Sequence, residues 1–157
     1  MRLKWARLEG RRGHDVGRQL LRQLYREETG AECPAILVAP RGKPYFEDSP
    51  LHFSISHTKN HAFCVLSSRP VGIDAEEKDR TVRLPLAEKI LSDGEYARFE
   101  AAQDRRDALL RLWVLKEAAA KLTGEGLRGY PNHTDFDPAD SRIQEIDGCY
   151  VAIFEGE

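Results

Sequence analysis

The amino-acid sequence predicts an α+β domain, and three patterns support this prediction. Apolar and polar residues alternate in LHFSIS and VGIDAE, which is typical of strands with two distinct faces. Apolar residues recur at helical spacing near residue 20 and again after residue 104. No linker or low-complexity tract separates these segments, so we expect residues 1–157 to form one domain with one packed core.

The first helix is predicted between a cap at Asp15 and a stop at Gly30. Its apolar positions are Val16, Leu20, Leu21, Leu24 and Tyr25. After it, AILVA at 35–39 predicts a short buried strand, and RGKPYF places Lys43 in a turn between a glycine and a proline.

The remaining chain is predicted to contain two hairpins, with the strand VGIDAE and several helices between them. LHFSIS and HAFCVLSS form a hairpin in this prediction, with Ser54 and Ser56 on the face opposite Phe53. LPLAEKIL and GEYARFEAA predict short helical pieces, followed by a long helix over 104–122. RIQEIDG and CYVAIFEGE predict a closing hairpin that turns near residues 147–148.

The overall charge excludes a bulk electrostatic argument for binding nucleic acid, because 24 basic residues are balanced by 26 acidic ones. Cys33, Cys64 and Cys149 are odd in number and lack the spacing of a metal motif, which favours a reducing, cytoplasmic setting. The N-terminus has no apolar signal region, and no apolar run approaches the length of a membrane span. We therefore expect neither nucleic acid nor membrane as a partner.

VGIDAE is the first candidate for chemistry. Alternation along the strand points three residues to the core: Val71, Ile73 and Ala75. Gly72, Asp74 and Glu76 share the other face, so two carboxylates project side by side at a spacing of about 7 Å, close enough to approach one hard cation. Gly72 is expected to leave room for a ligand. A solvated pair of acidic residues at a strand end remains the alternative.

The long helix is the second candidate. Its core stripe is predicted to be Leu112, Leu115, Ala119 and Leu122. Trp113, Glu117 and Lys121 form a separate stripe at i, i+4 and i+8, and Glu117 precedes Lys121 in the favourable order for an ion pair. Lys116 lies one residue off that stripe. An exposed ion pair that only stabilises the helix is the alternative.

FSISHTKNH is the third candidate, because it places hydrogen-bond donors at the end of a strand. Ser56, His57, Lys59 and His61 could bind an anion, and Lys43 in its turn could add a positive charge to the same anion. Adjacent serine and histidine do not make a nucleophile motif, since a catalytic triad requires three groups assembled in space.

In this order, G-K-P, F-S-I-S-H-T, G-I-D-A-E, W-V-L-K-E-A-A-A-K and G-E-G-L, the motifs resemble those of the 4'-phosphopantetheinyl transferases of the surfactin-synthetase-activating type. The resemblance extends from about residue 15 to the tail. It implies a 4'-phosphopantetheinyl transferase-like fold, in which an antiparallel sheet is packed with a long helix. It also implies transfer of the phosphopantetheine arm of coenzyme A to a serine of an apo acyl or peptidyl carrier protein, releasing adenosine 3',5'-bisphosphate.

The resemblance implies roles for individual residues. Asp74, Glu76 and Glu117 match the carboxylates that bind Mg²⁺, and Lys121 matches the lysine that reaches the pyrophosphate, so Glu117 and Lys121 are the candidate catalytic residues. The candidate contacts to coenzyme A are Lys43, Ser56 and His57, with His57 at the 3'-phosphate. Trp113 and Lys116 match the motif, but no role follows for them from the sequence.

The departures from the family pattern keep a second hypothesis open. Only about forty residues precede the G-K-P turn, so the first half is short, and only Arg11, Arg12 and His14 could replace the basic N-terminal residues of relatives. A non-catalytic module that binds coenzyme A or a carrier protein is therefore the alternative to the enzyme. A carrier-binding patch is expected at Arg105, Arg106 and Arg111, while the pathway of the carrier and the oligomeric state are left open.

Overall fold

The computed structural model describes residues 1–125 and 134–157. In these residues the strands are β1 (Arg2–Arg7), β2 (Ile36–Val38), β3 (Pro44–Phe46), β4 (His52–His57), β5 (His61–Ser67), β6 (Val71–Glu77), β7 (Ile143–Ile146) and β8 (Cys149–Glu155). The α-helices are α1 (Gly13–Thr29), α2 (Ala87–Ile90), α3 (Asp93–Ala101) and α4 (Arg105–Thr123), and a 3₁₀ turn over Leu84–Leu86 precedes α2. Two residues of the G-E-G-L motif, 126 and 127, lie outside the described ranges.

All strand pairs in the described residues are antiparallel, as expected of an α+β protein. Two sheets have three strands, in the orders β1-β5-β4 and β6-β8-β7, and β2 pairs with β3 in a two-stranded sheet. Helix α1 covers one face of the first sheet, and α4 packs on β6 and β8 of the second. No helix in the described ranges is both long and apolar enough to cross a membrane.

The helix boundaries follow local signals that the sequence makes visible. Gly30 and Gly124 end α1 and α4 in the left-handed conformation, with φ of 74° and 75°. Asp104 caps α4 by accepting a hydrogen bond from the amide of Asp107. Asp15 is not the N-cap predicted for α1, because the helix begins two residues earlier and Asp15 lies in its first turn.

The closing hairpin is confirmed, including its turn. Asp147 and Gly148 have φ of 47° and 80°, and two successive left-handed residues are the requirement of the tight turn that matches strand twist. Strand β1 was not predicted, although RLKWAR is an edge strand that pairs along its full length with β5. Its alternation of charged and apolar residues was the available signal.

The prediction that AILVA is a buried strand is wrong in its burial. The segment forms β2, but Leu37 is 38% exposed and Val38 is 64% exposed. A two-stranded sheet without a third strand or a covering helix shields little of its surface, so apolar composition alone did not determine burial here.

Candidate functional site

Helix α4 lies directly against the middle of strand β6. A Cβ atom added at Gly72 would come within 2.3 Å of the carbonyl oxygen of Ala118 and 2.4 Å of the amide nitrogen of Leu122. The space predicted for a ligand beside Gly72 is therefore filled by helix backbone, and the glycine permits a close helix–strand approach instead. This approach places the α4 side chains next to the carboxylates of β6.

Strand β6 is joined to β4 by serine hydroxyls rather than by a backbone ladder. The amides of Ile73 and Ala75 donate to Oγ of Ser54 and Ser56, both at 3.1 Å. Because β6 is an edge strand of its sheet, these hydroxyls satisfy amides that would otherwise be buried without a partner. The polar face predicted for β4 is thus buried and connects the two sheets.

Asp74 is the most deeply buried carboxylate of the predicted site, with 5% of its surface exposed. Its Oδ1 accepts hydrogen bonds from Lys121 Nζ at 3.0 Å and from Ser56 Oγ at 3.2 Å. Its Oδ2 is buried and has no hydrogen-bond partner among the described residues. Burial raises the pKa of Asp74 to about 7, with Lys121 opposing the rise and Glu76 and Glu117 adding to it.

Glu76 lies two residues further along β6 and is held by two donors. Nε1 of Trp113 donates to Glu76 Oε1 at 3.0 Å, and Nη1 of Arg80 lies 2.8 Å from the same oxygen. Trp113 therefore has a contact that explains its position on the polar stripe of α4. Its large ring packs beside α2 and α3 while its single polar atom orients a candidate metal ligand.

Glu117 is half-buried on α4, one helical turn from both Trp113 and Lys121. Burial raises its pKa; Lys121 and Arg80 oppose the shift, and the nearby charge of Glu76 adds to it. The predicted ion pair of Glu117 with Lys121 is absent from the described residues, since Lys121 pairs with Asp74. The long side chain of Lys121 extends from α4 to Asp74 on β6, because the helix and the strand lie close together.

The three carboxylates fit a divalent cation by their chemistry. Among the described residues, Asp74 has a buried oxygen without a partner. Burial raises the pKa of Asp74 and of Glu117, and the charge of a neighbouring carboxylate raises each further. A hard cation would supply the missing partner and neutralise that repulsion. In the described structure the carboxylate oxygens of Asp74, Glu76 and Glu117 do not all lie within 4.8 Å of one another. The three negative charges repel one another, and two of the carboxylates are already paired, Asp74 with Lys121 and Glu76 with Arg80.

His57 is exposed at the end of β4, where the N-terminus of α1 meets it. A Cβ at Gly13 would lie 2.5 Å from Cγ of the His57 ring, so the backbone at the start of α1 is in close contact with the imidazole. His57, Lys59 and Arg80 contribute to the lining of a cleft of about 740 Å³, which Glu76 also borders. The cleft thus combines basic side chains with one of the candidate metal ligands.

Lys43 lies apart from that cleft. Its Nζ donates to the carbonyl oxygens of Lys121 and Leu122 at the end of α4 and to Val71 O on β6. A cation at the C-terminus of a helix offsets the negative end of the helix dipole. Burial lowers the pKa of Lys43. In this structure Lys43 therefore secures α4 against β6, and its predicted contact with coenzyme A stays a prediction.

Comparison with known proteins identifies the family. The model of the 4'-phosphopantetheinyl transferase superfamily matches residues 70–152, from the start of β6 into β8. The chain belongs to this superfamily. The match includes Asp74 and Glu76 of β6 and all of α4, the elements that assemble the candidate site.

Individual relatives agree with this assignment. A 4'-phosphopantetheinyl transferase of Bacillus subtilis is 32% identical over 117 residues, which are 71% of this chain and 52% of that protein. The 4'-phosphopantetheinyl transferase Sfp of Bacillus subtilis strain 168 is 37% identical over 89 residues, 55% of this chain and 39% of the relative. HetI of Nostoc, also a 4'-phosphopantetheinyl transferase, is 33% identical over 129 residues, with shares of 76% and 54%. The chain spans about half the length, or less, of these relatives.

The structure gives Lys116 of the superfamily motif a role that the sequence did not reveal. Lys116 is 1% exposed, and its Nζ donates to Glu95 Oε1 of α3 at 2.8 Å. Glu95 also receives hydrogen bonds from the hydroxyl of Thr134 and from the amides of Ser92 and Phe136. The pair Ser92–Glu95, a visible S-x-x-E capping box, was the available signal for this site.

Two of the three arginines predicted to bind the carrier protein make contacts within the protein itself. Arg106 donates to the carbonyl oxygens of Lys78 and Arg80, and Arg111 is paired with Asp107 and lies over the ring of Tyr150. Arg106 thus holds the helix against the turn that follows β6, and Arg111 holds it against β8. Arg105 is exposed.

Proposed function

We propose that the protein is a magnesium-dependent transferase, which moves the 4'-phosphopantetheine arm of coenzyme A to a serine hydroxyl of an apo carrier protein. The observation that supports this most directly is the buried Asp74 oxygen that has no partner in the described part of the chain, at a site that also holds Lys121 and two further carboxylates. A buried carboxylate oxygen without a hydrogen-bond partner is expected to bind a cation or a substrate group. Family membership and the names of the relatives are consistent with this reaction.

Asp74, Glu76 and Glu117 are the residues that would hold Mg²⁺ in this proposal. Magnesium bound there would withdraw electron density from the diphosphate of coenzyme A. Lys121 offsets the negative charge that develops on the departing adenosine 3',5'-bisphosphate. Glu117 is also proposed to accept the proton of the carrier serine, directly or through a water molecule.

Coenzyme A is proposed to lie along the cleft that ends at Glu76. His57 is exposed where α1 begins, and a helix N-terminus with basic neighbours favours a phosphate group. Arg12 and His14, both exposed beside Gly13, add to this basic end, whereas Arg11 donates to the carbonyls of β1 and the following residue. Ser56, which is buried against Asp74, is proposed to act by orienting that carboxylate.

An acidic apo carrier protein is proposed to dock beside Trp113. A cavity of about 320 Å³ is lined there by basic residues such as Arg83 and Lys89, together with apolar groups such as Leu86. The same cavity reaches Trp113, whose indole contacts Glu76, so a carrier bound there would bring its serine close to the carboxylates. Opposite charge on the carrier would steer its approach.

We further propose that residues 1–157 form one domain of this superfamily, an antiparallel sheet packed with the long helix α4, and that it works in the cytoplasm. One apolar cluster contains residues of both three-stranded sheets, including Phe63 of β5, Ile73 of β6 and Val151 of β8, which supports one domain. Three free cysteines, two of them buried, are consistent with a reducing compartment.

Intact-protein mass spectrometry tests the reaction. An apo carrier protein is incubated with this protein, coenzyme A and Mg²⁺, and an identical sample contains EDTA. We expect the carrier mass to rise by one phosphopantetheine only in the sample with free metal. No rise with acyl and peptidyl carrier proteins of several pathways would contradict the transferase.

The Asp74→Ala variant separates the enzyme from a non-catalytic binding module. In an enzyme this change abolishes transfer while the carrier still binds, because the docking cavity beside Trp113 is unchanged. The matched control is Asp79→Ala, which removes a carboxylate from the lining of the same cleft but not from the proposed ligand set. Carrier binding by the wild-type protein without any transfer would favour the module.

A further inference from the structure

A second cluster of metal-ligating groups lies on the other face of β6. His61 Nδ1, Cys149 Sγ and a carboxylate oxygen of Glu77 lie within 4.8 Å of one another. Alternation along the strand places Glu77 on the side opposite Asp74 and Glu76, with the ring of His61 and the thiol of Cys149. Since none of these three residues belongs to the transferase motifs, the cluster is not explained by the proposed reaction.

We propose that His61, Glu77 and Cys149 form a binding site for a zinc ion, separate from the magnesium site. Imidazole nitrogen, thiolate sulfur and carboxylate oxygen are the ligand types that Zn²⁺ combines in proteins, whereas Mg²⁺ is bound by oxygen ligands. Three protein ligands leave one position of a tetrahedral ion for water or another small ligand.

The distances between the ligand atoms agree with a tetrahedral ion. His61 Nδ1 lies 3.4 Å from Cys149 Sγ and 3.4 Å from Glu77 Oε1. Zinc bond lengths and a tetrahedral angle require about 3.6 Å between nitrogen and sulfur and about 3.4 Å between nitrogen and oxygen. Each observed spacing is therefore within about 0.2 Å of the spacing that an ion at the centre would need.

Neighbouring residues orient the ligands as an outer shell would. Nε2 of His61 lies 2.8 Å from Asp147 Oδ2, so a proton on Nε2 leaves Nδ1 free to bind the ion. Asp147 is itself held by two hydrogen bonds from Arg7, at 2.7 and 2.8 Å. Asn60 donates to Glu77 Oε1 at 2.7 Å, which fixes the carboxylate. An aspartate–histidine pair of this kind is a regular feature of zinc sites.

An ion can reach the cluster from one side. His61 and Cys149 are buried, but Glu77 is half-buried and lines the cleft of about 740 Å³. Binding replaces the thiol proton of Cys149, which passes to solvent, by a bond from sulfur to the metal. No other covalent change is needed.

Metal titration of the reduced full-length protein tests the proposal, with Co²⁺ alone as the spectroscopic probe and Zn²⁺ alone as the competitor. We expect a thiolate-to-cobalt charge-transfer band in the near ultraviolet, which reports only the site that contains Cys149, and loss of that band when Zn²⁺ is added. Cys149→Ser should abolish the band. Cys33→Ser, the matched thiol control, and Asp74→Asn, which alters only the magnesium site, should retain it.

Glu77→Gln supplies a second test, since its partly exposed side chain can change without altering the core. Its Co²⁺ affinity should fall by about tenfold or more, as expected when a metal-site residue is replaced. Absence of the band from the wild-type protein, or a band that persists in Cys149→Ser, would overturn the site. If Cys149→Ser fails to fold, an unchanged affinity in Glu77→Gln overturns it instead.

Discussion

Helix α4 places two lysines five residues apart, each against a buried carboxylate, and the two pairs differ in how completely their atoms are bonded. Glu95 is fully buried and both of its oxygens accept hydrogen bonds, including the one from Lys116. Asp74 is also buried, yet its Oδ2 has no partner in the described residues while Oδ1 is shared by Lys121 and Ser56.

The difference distinguishes a structural pair from one prepared for a ligand. A buried charge with every oxygen bonded needs nothing further, and the hydrogen bonds to Glu95 lower its pKa despite burial. Asp74 has a raised pKa because its bonds do not compensate for burial. Two lysines of one motif, on one helix, therefore act in different ways: Lys116 joins helices, and Lys121 faces the site.

The comparison predicts its largest effect at the structural pair. Lys116→Met leaves Glu95 as an uncompensated buried charge, so the free energy of unfolding should fall by about 3–5 kcal/mol. Chemical denaturation measures this change. In the double variant Glu95→Gln/Lys116→Met much of the loss should be recovered, because no buried charge remains. A loss below about 1 kcal/mol in the single variant would show that the pair is not a structural unit.

At the candidate site the expected effect is on activity rather than on stability. Asp74→Asn should lower the transfer rate by about a hundredfold or more, since it removes a proposed metal ligand that no neighbour replaces. Its unfolding midpoint should not fall, because the amide avoids the burial of a charge. The rate is measured by carrier mass at fixed Mg²⁺. Transfer at the wild-type rate would remove Asp74 from the site.

Stability should depend on pH through the same residue. The pKa of Asp74 is raised from 3.8 to about 7 in the folded protein, so between these values the native state binds more protons than the unfolded state. The free energy of unfolding should therefore fall as pH rises through this window. Denaturation in EDTA at several pH values, compared with Asp74→Asn, measures the contribution. Added Mg²⁺ should diminish it, and identical pH profiles of the two proteins would contradict the shift.

The smallest effect is expected from the indole of Trp113. Trp113→Phe keeps an aromatic ring in the apolar cluster but removes the hydrogen bond to Glu76, while Arg80 still holds that carboxylate. We expect the Mg²⁺ concentration for half-maximal activity to rise about tenfold, with full activity recovered at high Mg²⁺, because an outer-shell partner has been lost. Titration of activity with Mg²⁺ checks this. An unchanged half-maximal concentration would limit Trp113 to packing.

Local patterns were sufficient to predict much of the secondary structure. The β4–β5 hairpin, the left-handed turn of the closing hairpin and the ends of α4 at Asp104 and Gly124 depend on neighbouring residues, so the sequence determines them. The transferase motifs likewise predicted the superfamily to which the chain belongs. Alternation also placed Asp74 and Glu76 on one face of β6.

Only the tertiary structure decided which partners those side chains have. Lys121 reaches Asp74 rather than Glu117, and Gly72 admits helix backbone rather than a ligand, because both depend on how closely α4 approaches β6. Lys116 and Glu95 are 21 residues apart in the sequence and meet only when α3 packs on α4. Periodicity specifies the face of an element, whereas burial and pairing depend on the element that covers that face.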